Sequence, residues 1–460
     1  MIKRFKITGL FGFRNVDINF EDNVKILIGE NGFGKTTILN SLYYLLNEKY
    51  KKLSNIEFEA IEVIFGNKEK IQFSKFELES YVTYQENNNN NNRRIPLSIL
   101  TQLENLNQLQ FDNYDSFNSK VSKTIAEFIE KNAIRRFAPI EIMTREIFKY
   151  IKEKPSFDVF DKLERIKQDL NFSILYLPTY RRVEEDLKNL GSFKERIIHR
   201  NDSRSYYREL EEDLEVNDDT LIHFGMEDVR KKIITVEQEI EKSTITGFSK
   251  LTGQMLSLFL NGFRKIEDSE IEELDENTIK IILHRVGDNI PQKDKDGILK
   301  LLKNKAKLKE RKDLVSFIFQ LIDIYNEHKH LDDKIKNFRD VCNEYLVDKQ
   351  FRYDESSVDL DIYRDGTDEK VEINKLSSGE KQIISIFSKI YLEKTENLIV
   401  LFDEPELSLS LPWQKRLLPD IMNSEKCKFL LAVTHSPFIF KNELEKYAVG
   451  INIYMDSKNE

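Results

Sequence analysis

The sequence predicts an α/β protein in which a mostly parallel sheet, contributed by both ends of the chain, brackets a long helical insertion. Two observations predict this class. Apolar strands alternate with helices in both end regions of the 460-residue chain, a pattern typical of a parallel sheet covered on both faces. The middle region is highly charged and carries apolar residues at heptad spacing, which indicates coiled-coil helices.

The composition limits the compartment and the partners. Charged residues make up 33% of the chain, and a formal net charge of −9 argues against general coating of nucleic acid or of an anionic membrane. Two cysteines without a CxxC pair provide neither a disulfide framework nor a zinc hook. Because signal-peptide and membrane-span patterns are also missing, we expect a cytoplasmic protein.

Residues 1–95 are expected to form the N-terminal lobe. IKRFKITGL, VDINF and VKILIG predict strands, and a helix is expected over residues 35–48. FEAIEVIF and KIQFSKFEL predict two further strands. The asparagine run at residues 87–92 is predicted to be a surface loop without chemistry of its own.

Residues 96–346 are predicted to form the helical insertion, from which one core strand near 173–180 returns to the sheet. The clearest seam steps by threes and fours through Phe317, Leu321, Ile324, His328, Leu331, Ile335, Phe338, Cys342 and Tyr345. A shorter seam, Val229, Ile233, Val236 and Ile240, is expected to be its antiparallel partner. His328 occupies the one polar position and is interpreted as a seam-edge residue.

Residues 347–460 are expected to form the C-terminal lobe. SSVDLDIY and EKVEINKL flank RDGTD, which predicts a hairpin. A helix over residues 378–392, the strand LIVLF, a helix near residues 412–422 and the strand KFLLAVT follow in that order.

The segment GENGFGKTT fits the phosphate-loop spacing G-x-x-x-x-G-K-[ST] between an apolar strand and a helix. Its backbone N–H groups are expected to surround the phosphates of ATP. Lys35 supplies a charge between the β- and γ-phosphates, and the Thr36 hydroxyl ligates Mg²⁺. The residues expected to contact the nucleotide are Gly29, Asn31, Gly32, Gly34, Lys35, Thr36 and Thr37.

Two acids and a histidine follow the ends of two later strands. Asp403 and Glu404 come directly after LIVLF, and His435 comes after KFLLAVT. Because carboxyl ends of parallel strands form the ligand edge, Asp403 is predicted to hold Mg²⁺ through water. Glu404 is predicted to act as general base and His435 to sense the γ-phosphate, so that these two and Lys35 are the expected catalytic residues.

A second glycine turn, LSSGEKQ at residues 376–382, opens another helix, where free N–H groups and the helix dipole favour an anion. Together the motifs resemble those of ABC-type ATPases, whose signature motif looks like LSSGEKQ. The resemblance implies that Ser378 and Gly379 of one subunit cap the γ-phosphate bound by Lys35 of the other. ATP would then join two subunits, and hydrolysis would release them. Considered alone, LSSGE is also an ordinary helix-capping turn.

The long insertion is similar to the layout of the SMC, RecF and OLD branch of these ATPases, an AAA-ATPase-like domain family. OLD nucleases carry a Toprim domain after the histidine motif, whereas about twenty-five residues follow His435 here. We therefore expect no nuclease domain in this chain.

Four segments, LSSGEKQIISIFSKIYL, DEPELSLSLPWQKRLLPDI, AVTHSPFIF and LPTYRRVEE, look like AriA, the ATPase subunit family of PARIS two-component anti-phage systems. That resemblance implies a homo-oligomer larger than a dimer, a Toprim nuclease partner of the AriB type and a phage-encoded trigger protein. Three alternatives stay open: a PtuA-type ATPase of Septu systems, a DNA-repair ATPase of the RecF or SMC kind, and a scaffold that binds ATP with little turnover.

The sequence contains four weaker candidates. Arg14, in the turn GFRN, is a candidate phosphate contact, and the arginine pair at residues 181–182 is a candidate for the nucleotide edge or for plain surface. Gln72 and Gln85 both lie where a lid glutamine that contacts Mg²⁺ is expected. Residues 293–312 are the most basic stretch of the chain. Such a run is more often the solvated face of a helix than a site for nucleic acid or an acidic partner.

Overall fold

The structure is a computed structural model that describes residues 1–30, 32–66, 68–91, 157–170, 172–179, 226–262, 266–287 and 290–457. Its strands are β1 (Ile2–Leu10), β2 (Arg14–Asn19), β3 (Val24–Ile28), β4 (Ala60–Phe65), β5 (Ile71–Ser74), β6 (Ser173–Leu177), β7 (Lys349–Asp354), β8 (Asp359–Arg364), β9 (Leu398–Asp403), β10 (Cys427–Thr434), β11 (Ala448–Gly450) and β12 (Met455–Ser457).

Its helices are α1 (Lys35–Leu46), α2 (Tyr50–Ser54), α3 (Lys75–Asn91), α4 (Phe157–Asp169), α5 (Met226–Asn261), α6 (Asp268–Glu272), α7 (Glu276–Arg285), α8 (Gln292–Lys303), α9 (Lys305–Lys309), α10 (Lys312–Asn343), α11 (Ser378–Tyr391) and α12 (Leu411–Asn423). Short 3₁₀ turns lie at Ile373–Lys375, Pro437–Ile439, Glu445–Tyr447 and Ile451–Tyr454. No helix in the described ranges is long and apolar enough to cross a membrane.

The chain divides into two compact units. The sheet unit comprises Met1–Leu177, Asn397–Pro405 and Cys427–Glu460. The helical unit comprises Pro178–Glu396 and Glu406–Lys426. The phosphate loop, the acidic strand end and His435 therefore belong to the sheet unit, whereas the LSSGEKQ turn belongs to the helical unit.

The sheet unit contains two five-stranded sheets around a common apolar core. One sheet is antiparallel in the order β12-β2-β1-β4-β5, and the other is parallel in the order β11-β3-β10-β9-β6. Every residue of β9 is buried, as expected for a parallel strand covered on both faces. Phe20, after β2, and Phe429 of β10 join the two sheets through rings 5.1 Å apart. The predicted α/β class is confirmed.

The helical unit is built on the pairing of α5 with α10, which the two sequence seams predicted. Lys232, near the start of α5, pairs with Glu393, just beyond α11, at 2.6 Å. Tyr345, just beyond the end of α10, contacts the Phe387 ring of α11 at 5.6 Å. Since the start of α5 and the end of α10 both lie at α11, the two long helices are antiparallel.

A buried ion pair ties the insertion to the strands that precede LSSGEKQ. Arg285, at the end of α7, donates two hydrogen bonds to Asp332 of α10, at 2.6 and 3.0 Å. Their side chains are 6% and 0% exposed. The Tyr353 hydroxyl of β7 donates to the same carboxylate at 2.5 Å. Helices α7 and α10 and strand β7 thus meet at one carboxylate, whose hydrogen bonds offset the cost of burying its charge.

One sequence prediction about local structure was wrong, and a second was incomplete. The first five asparagines of the run continue helix α3 to Asn91 rather than forming a loop. A helix that already begins at Lys75 can be extended by further polar residues at small cost. The chain does turn at RDGTD: the Arg364 N–H donates to the Glu369 carbonyl at 3.0 Å, the Val371 N–H donates to the Ile362 carbonyl at 2.8 Å, and an antiparallel bridge joins Tyr363 to Lys370. The main partner of β8 is β7, whose antiparallel register pairs Phe351 with Ile362.

Candidate functional site

The phosphate loop has the tight backbone that its glycines predicted. Gly32 and Gly34 have φ angles of 88° and 79°, in the left-handed region that favours glycine. A Cβ atom at Gly34 would lie 2.9 Å from the Phe11 ring, and one at Gly29 would lie 2.6 Å from Ile451. The loop is therefore closed by apolar side chains on its outer side, and Asn31 lies outside the described residues.

Lys35, the first residue of α1, crosses the inside of this loop. Its ammonium nitrogen donates to the carbonyl oxygens of Gly29 at 2.8 Å and Glu30 at 3.0 Å, and it lies 2.7 Å from Nε2 of His435. The side chain is buried at 6% exposure. The position is suited to an anion that replaces these carbonyl oxygens, because a buried ammonium requires several acceptors.

Thr36 and Asp403 are brought together as the sequence predicted. The Thr36 hydroxyl donates to the carboxylate of Asp403, at 2.9 Å from Oδ2. Adjacent oxygen ligands of an octahedral Mg²⁺ are about 3 Å apart, since each lies about 2.0–2.1 Å from the ion. The two oxygen-bearing side chains are of the kind that Mg²⁺ prefers and lie close enough to hold it, Thr36 directly and Asp403 directly or through water. Among the described residues no group of three His, Cys or acidic side chains is placed to hold a metal.

Glu404 and His435 meet at the edge of the parallel sheet. Val433, near the end of β10, is in register with Asp403 of β9, and the Glu404 N–H donates to the Val433 carbonyl at 2.9 Å. The Glu404 carboxylate lies 3.5 Å from Nε2 of His435. Glu404 has a φ of 48°, a conformation that costs a non-glycine residue roughly 1–2 kcal/mol and is concentrated at functional sites.

The LSSGEKQ turn begins α11 with a capping box. Ser377 is the N-cap, and its N–H donates to Oε2 of Glu380 at 2.8 Å, while its hydroxyl accepts from the Glu380 N–H at 3.4 Å. Lys349 of β7 donates to Oε1 of the same glutamate at 2.7 Å. Ser378 is exposed. The cap and the predicted anion site thus use different serines of the same turn.

Gly379 is fixed by packing within the helical unit. A Cβ atom there would lie 2.6 Å from the Ser408 carbonyl oxygen and 3.0 Å from Trp413. The loop that leads into α12 therefore lies against the first turn of α11, and only glycine leaves room for it.

Comparison with known proteins gives the family. A family model described as an AAA ATPase domain matches residues 1–440. The chain belongs to this AAA ATPase domain family. Its elements follow the order that the sequence predicted, with a phosphate loop, a helical insertion and then LSSGEKQ, Asp403-Glu404 and His435.

Individual relatives match short segments. Septu protein PtuA of Bacillus thuringiensis is 34% identical over 61 residues, or 13% of this chain and 15% of that protein. The DNA replication and repair protein RecF of Clostridium kluyveri is 31% identical over 87 residues, or 16% of this chain and 24% of that protein. The chain thus spans less than a quarter of the length of either relative. A crystal structure of an Smc head bound to the C-winged helix domain of ScpA is similar with a TM-score of 0.33 at 11% identity, over 96% of this chain and 91% of that one.

The weaker site candidates differ in whether they reach the phosphate loop. Arg14 donates to the carbonyl of Phe33, inside the phosphate loop, at 3.0 Å, which brings a guanidinium to the loop as the sequence suggested. Gln72 is bonded to Lys70 at 3.4 Å and Gln85 to Tyr81 at 2.7 Å, and both glutamines are exposed. These hydrogen bonds lead away from the phosphate loop, and residues 181–182 lie outside the described ranges.

The basic stretch at residues 293–312 covers α8, α9 and the start of α10. Lys303 pairs with Glu276 at 3.5 Å, and Lys309 pairs with Glu272 at 3.0 Å and with Asp268 at 3.3 Å. These intramolecular pairs favour the solvated helix face.

Sequence analysis missed the support behind the phosphate loop. The Tyr176 hydroxyl of β6 donates to Asn40 of α1 at 2.6 Å, and its ring stacks on Tyr43 at 4.3 Å. Burial, together with the nearby Asp403 carboxylate, raises the pKa of Tyr176, so this hydroxyl stays a donor at physiological pH. In LPTYRRVEE the arginines are the evident signal. Nothing in the local sequence indicates that the preceding strand contacts α1.

Proposed function

We propose that this chain is a Mg²⁺-dependent ATPase subunit that works as an ATP-bound head-to-tail dimer within a larger homo-oligomer and restrains a partner nuclease in anti-phage defence. The observation that carries the ATPase part is the convergence in the sheet unit of Lys35, the Thr36–Asp403 pair, Glu404 and His435. Each of these groups stands at the ligand edge of one parallel sheet.

The residues support hydrolysis by positioning and electrostatics. Lys35 exchanges carbonyl oxygens and Nε2 of His435 for phosphate oxygens when ATP enters the loop. Thr36 and Asp403 would hold Mg²⁺, which would neutralise phosphate charge. Glu404 accepts the proton of the attacking water, and His435, released from Lys35, turns its ring nitrogen to the γ-phosphate or to that water.

The dimer is supported by the exposure of Ser378 and by the rigid cap beneath it. Because Glu380 and Lys349 fix the turn from inside the helical unit, Ser378 is presented outward on a pre-organised helix N-terminus, where an anion is favoured. We infer that the phosphate it meets is held by the phosphate loop of a second subunit.

Glu404→Gln tests the ATPase and the dimer together. We expect this variant to bind ATP and to lose at least about 100-fold in hydrolysis rate, since an amide cannot accept the proton. Light scattering should show an ATP-dependent dimer that persists in Glu404→Gln and does not form in Lys35→Ala. Hydrolysis at the wild-type rate by Glu404→Gln would contradict the assignment of the base.

The defence role is supported by the similarity to PtuA, a Septu protein, and by the motifs that resemble those of AriA. The type of the partner nuclease is part of the proposal. We expect phage to plate less efficiently on cells that carry this chain together with a Toprim nuclease of the AriB type, and Lys35→Ala to abolish the protection. Protection by this chain alone would contradict the two-component assignment.

The similarity to RecF supports a second candidate, an ATPase that acts directly on DNA. Duplex DNA would then stimulate hydrolysis, and the stimulation would fall steeply between low and physiological salt as counterions compete. Unchanged hydrolysis with DNA at low salt would exclude this candidate and leave the partner nuclease as the target.

A further inference from the structure

Two hydrogen bonds tie helix α1 to neighbouring strands of the parallel sheet. The Thr36 hydroxyl donates to the carboxylate of Asp403 on β9, at 2.9 Å from Oδ2. One turn further along the helix, Oδ1 of Asn40 accepts from the Tyr176 hydroxyl of β6 at 2.6 Å. Residues four apart lie on the same face of a helix, so both bonds leave α1 from the face that packs on the sheet.

The strand residues of these two bonds share one face of the sheet. Tyr176 of β6 is in register with Leu401 of β9, and Leu401 comes two residues before Asp403. Side chains two residues apart point to the same side of a strand, and neighbours in register share that side. Tyr176 therefore stands beside the strand that carries Asp403, on the side that faces α1.

The Tyr176 side chain is held firmly in this position. It is 7% exposed, and its ring stacks on Tyr43 of α1 with the ring centroids 4.3 Å apart. Burial and the nearby Asp403 carboxylate raise the pKa of Tyr176, so the hydroxyl keeps the proton that it donates. A hydrogen bond from a buried and stacked donor fixes the separation between α1 and β6.

The first turn of α1 carries two functional residues that depend on this separation to different degrees. Lys35 bonds to the carbonyl oxygens of Gly29 and Glu30, which belong to the phosphate loop that leads directly into α1. Thr36 must instead meet Asp403, which belongs to another strand. A shift of α1 on the sheet therefore changes the Thr36–Asp403 distance more than the shape of the loop. Mg²⁺ requires near-ideal octahedral geometry, so the metal site is the more sensitive of the two.

We propose that Tyr176 is a positioning residue for the Mg²⁺ site. Through Asn40, its hydroxyl holds α1 at the separation from β9 that Thr36 and Asp403 need to hold the ion. The role rests on the proposed ATPase function, to which it adds a residue that acts only through α1. Removing the hydroxyl should reduce the affinity for Mg²⁺ and leave the affinity for the nucleotide phosphates nearly unchanged, whereas a residue with a structural role alone would change neither.

A fluorescent ADP, titrated with and without Mg²⁺, tests this role without hydrolysis. Its affinity in excess EDTA reports on the phosphate loop alone. The factor by which saturating Mg²⁺ tightens ADP binding equals, by linkage, the factor by which ADP tightens Mg²⁺ binding, so this factor reports on the metal site. The test variant is Tyr176→Phe, which keeps the stacked ring and removes only the hydroxyl. The matched control is Tyr43→Phe, which removes the hydroxyl of the other ring, where it accepts from Lys49 at 3.0 Å.

In Tyr176→Phe we expect the tightening by Mg²⁺ to be reduced about threefold to tenfold, as for the loss of one hydrogen bond. ADP affinity in EDTA should stay within about twofold of the wild type, because the loop contacts remain. Tyr43→Phe should match the wild type in both measurements. Asn40→Ala removes the same bond without touching the stacked rings and should show the same reduction. Combining it with Tyr176→Phe should add no further loss, since the two residues share one bond.

Two outcomes would overturn the positioning role alone. Lower melting temperatures of Tyr176→Phe and Asn40→Ala, with the wild-type tightening by Mg²⁺, would show that the bond serves only stability. An equal loss of ADP affinity in EDTA would show that the bond shapes the whole phosphate loop. If the wild-type chain binds no ADP, or if Mg²⁺ does not tighten its binding, the proposed function itself is contradicted and the positioning role falls with it.

Discussion

The ammonium nitrogen of Lys35 lies 2.7 Å from Nε2 of His435, so two residues 400 positions apart in sequence share one hydrogen bond. An ammonium group only donates, and Nε2 therefore accepts, with the ring proton on Nδ1. A phosphate that draws Lys35 away changes the hydrogen bonding of His435 at the same moment. The pair thus connects occupancy of the loop to the histidine at the end of β10.

Replacing His435 should separate binding from hydrolysis. In His435→Ala, Lys35 keeps the carbonyl oxygens of Gly29 and Glu30, so ATP affinity should change by less than about threefold, while the hydrolysis rate falls by about 10²–10³. Nucleotide titration and phosphate release measure the two effects. His330→Ala, an exposed histidine of α10, is the matched control, and equal rates in the two variants would contradict the assignment.

Gly379→Ala should destabilise the helical unit. The added methyl group would lie 2.6 Å from the Ser408 carbonyl oxygen, and overpacking of this kind costs about 1–3 kcal/mol. Thermal unfolding should show the loss. Ser378→Ala, one residue earlier on the exposed side of the turn, should unfold like the wild type but lose hydrolysis. The opposite ranking, with Ser378→Ala less stable, would refute this division of roles.

Lys349→Met should weaken the first turn of α11 in a pH-dependent way. Burial alone would raise the pKa of Glu380, but Lys349 and the Ser377 N–H outweigh it and lower that pKa. A carboxylate with a lowered pKa stabilises the fold above its ordinary value of 4.5 and loses this contribution as the pH falls through the folded value.

Removal of Lys349 should therefore cost about 1–3 kcal/mol at pH 7 and progressively less below pH 4.5. Urea unfolding at pH 7 and at one pH below 4.5 measures the change in the free energy of unfolding. Lys375→Met, which removes an exposed pair with Glu372 at 3.4 Å, should cost at most about 0.5 kcal/mol. Equal effects at the two pH values would show that the Lys349–Glu380 charge pair is not responsible.

Glu237→Gln should stabilise the protein at alkaline pH. Burial is the main reason why the pKa of Glu237 is raised to about 7. The Asp359 and Asp361 carboxylates act in the same direction, whereas the hydrogen bond from the Leu360 N–H opposes the shift. The folded state keeps a proton that the unfolded state has lost, so wild-type stability falls as the pH rises from 4.5 to about 7.

The glutamine side chain at position 237 still accepts the hydrogen bond from the Leu360 N–H. Because it cannot ionise, it removes the fall in stability between pH 4.5 and about 7. At pH 8 we expect a gain of about 1–2 kcal/mol, a value reduced for solvent screening, and almost no gain at pH 5. Melting temperatures at the two pH values measure it. Glu239→Gln, which only breaks a surface pair with Lys394, is the control, and a gain of equal size at both pH values would count against the ionisation of Glu237.

The strands, the long helices and the contacts of the phosphate loop were predictable because they depend on local pattern. Lys35, Thr36 and Asp403 follow from spacing and from the rule that parallel strands end at one edge, and the seams of α5 and α10 follow from heptad periodicity. The pairing of β9 with β10, which brings Glu404 and His435 together, required only the alternation of strands and helices.

What the sequence did not reveal depends on contacts between distant segments. Nothing near Glu380 indicates that Lys349 is its partner, and nothing near Gly379 indicates that Ser408 approaches it. The antiparallel pairing of β7 with β8 was missed because RDGTD is the stronger turn signal. The asparagine run continues a helix because nucleation at Lys75 had already occurred, and propagation adds one residue at small cost.

The central claim is that each ATP is completed by two copies of this chain, and a mixing experiment tests it most directly. Lys35→Ala lacks a working phosphate loop, and Ser378→Arg blocks the turn, so each variant alone should be inactive. In an equal mixture each mixed dimer has one intact site of its two, so hydrolysis should return to about a quarter of the wild-type rate if subunits pair at random and to about half if only mixed dimers form. If the mixture remains as inactive as its components although mixed dimers form, the composite site does not exist.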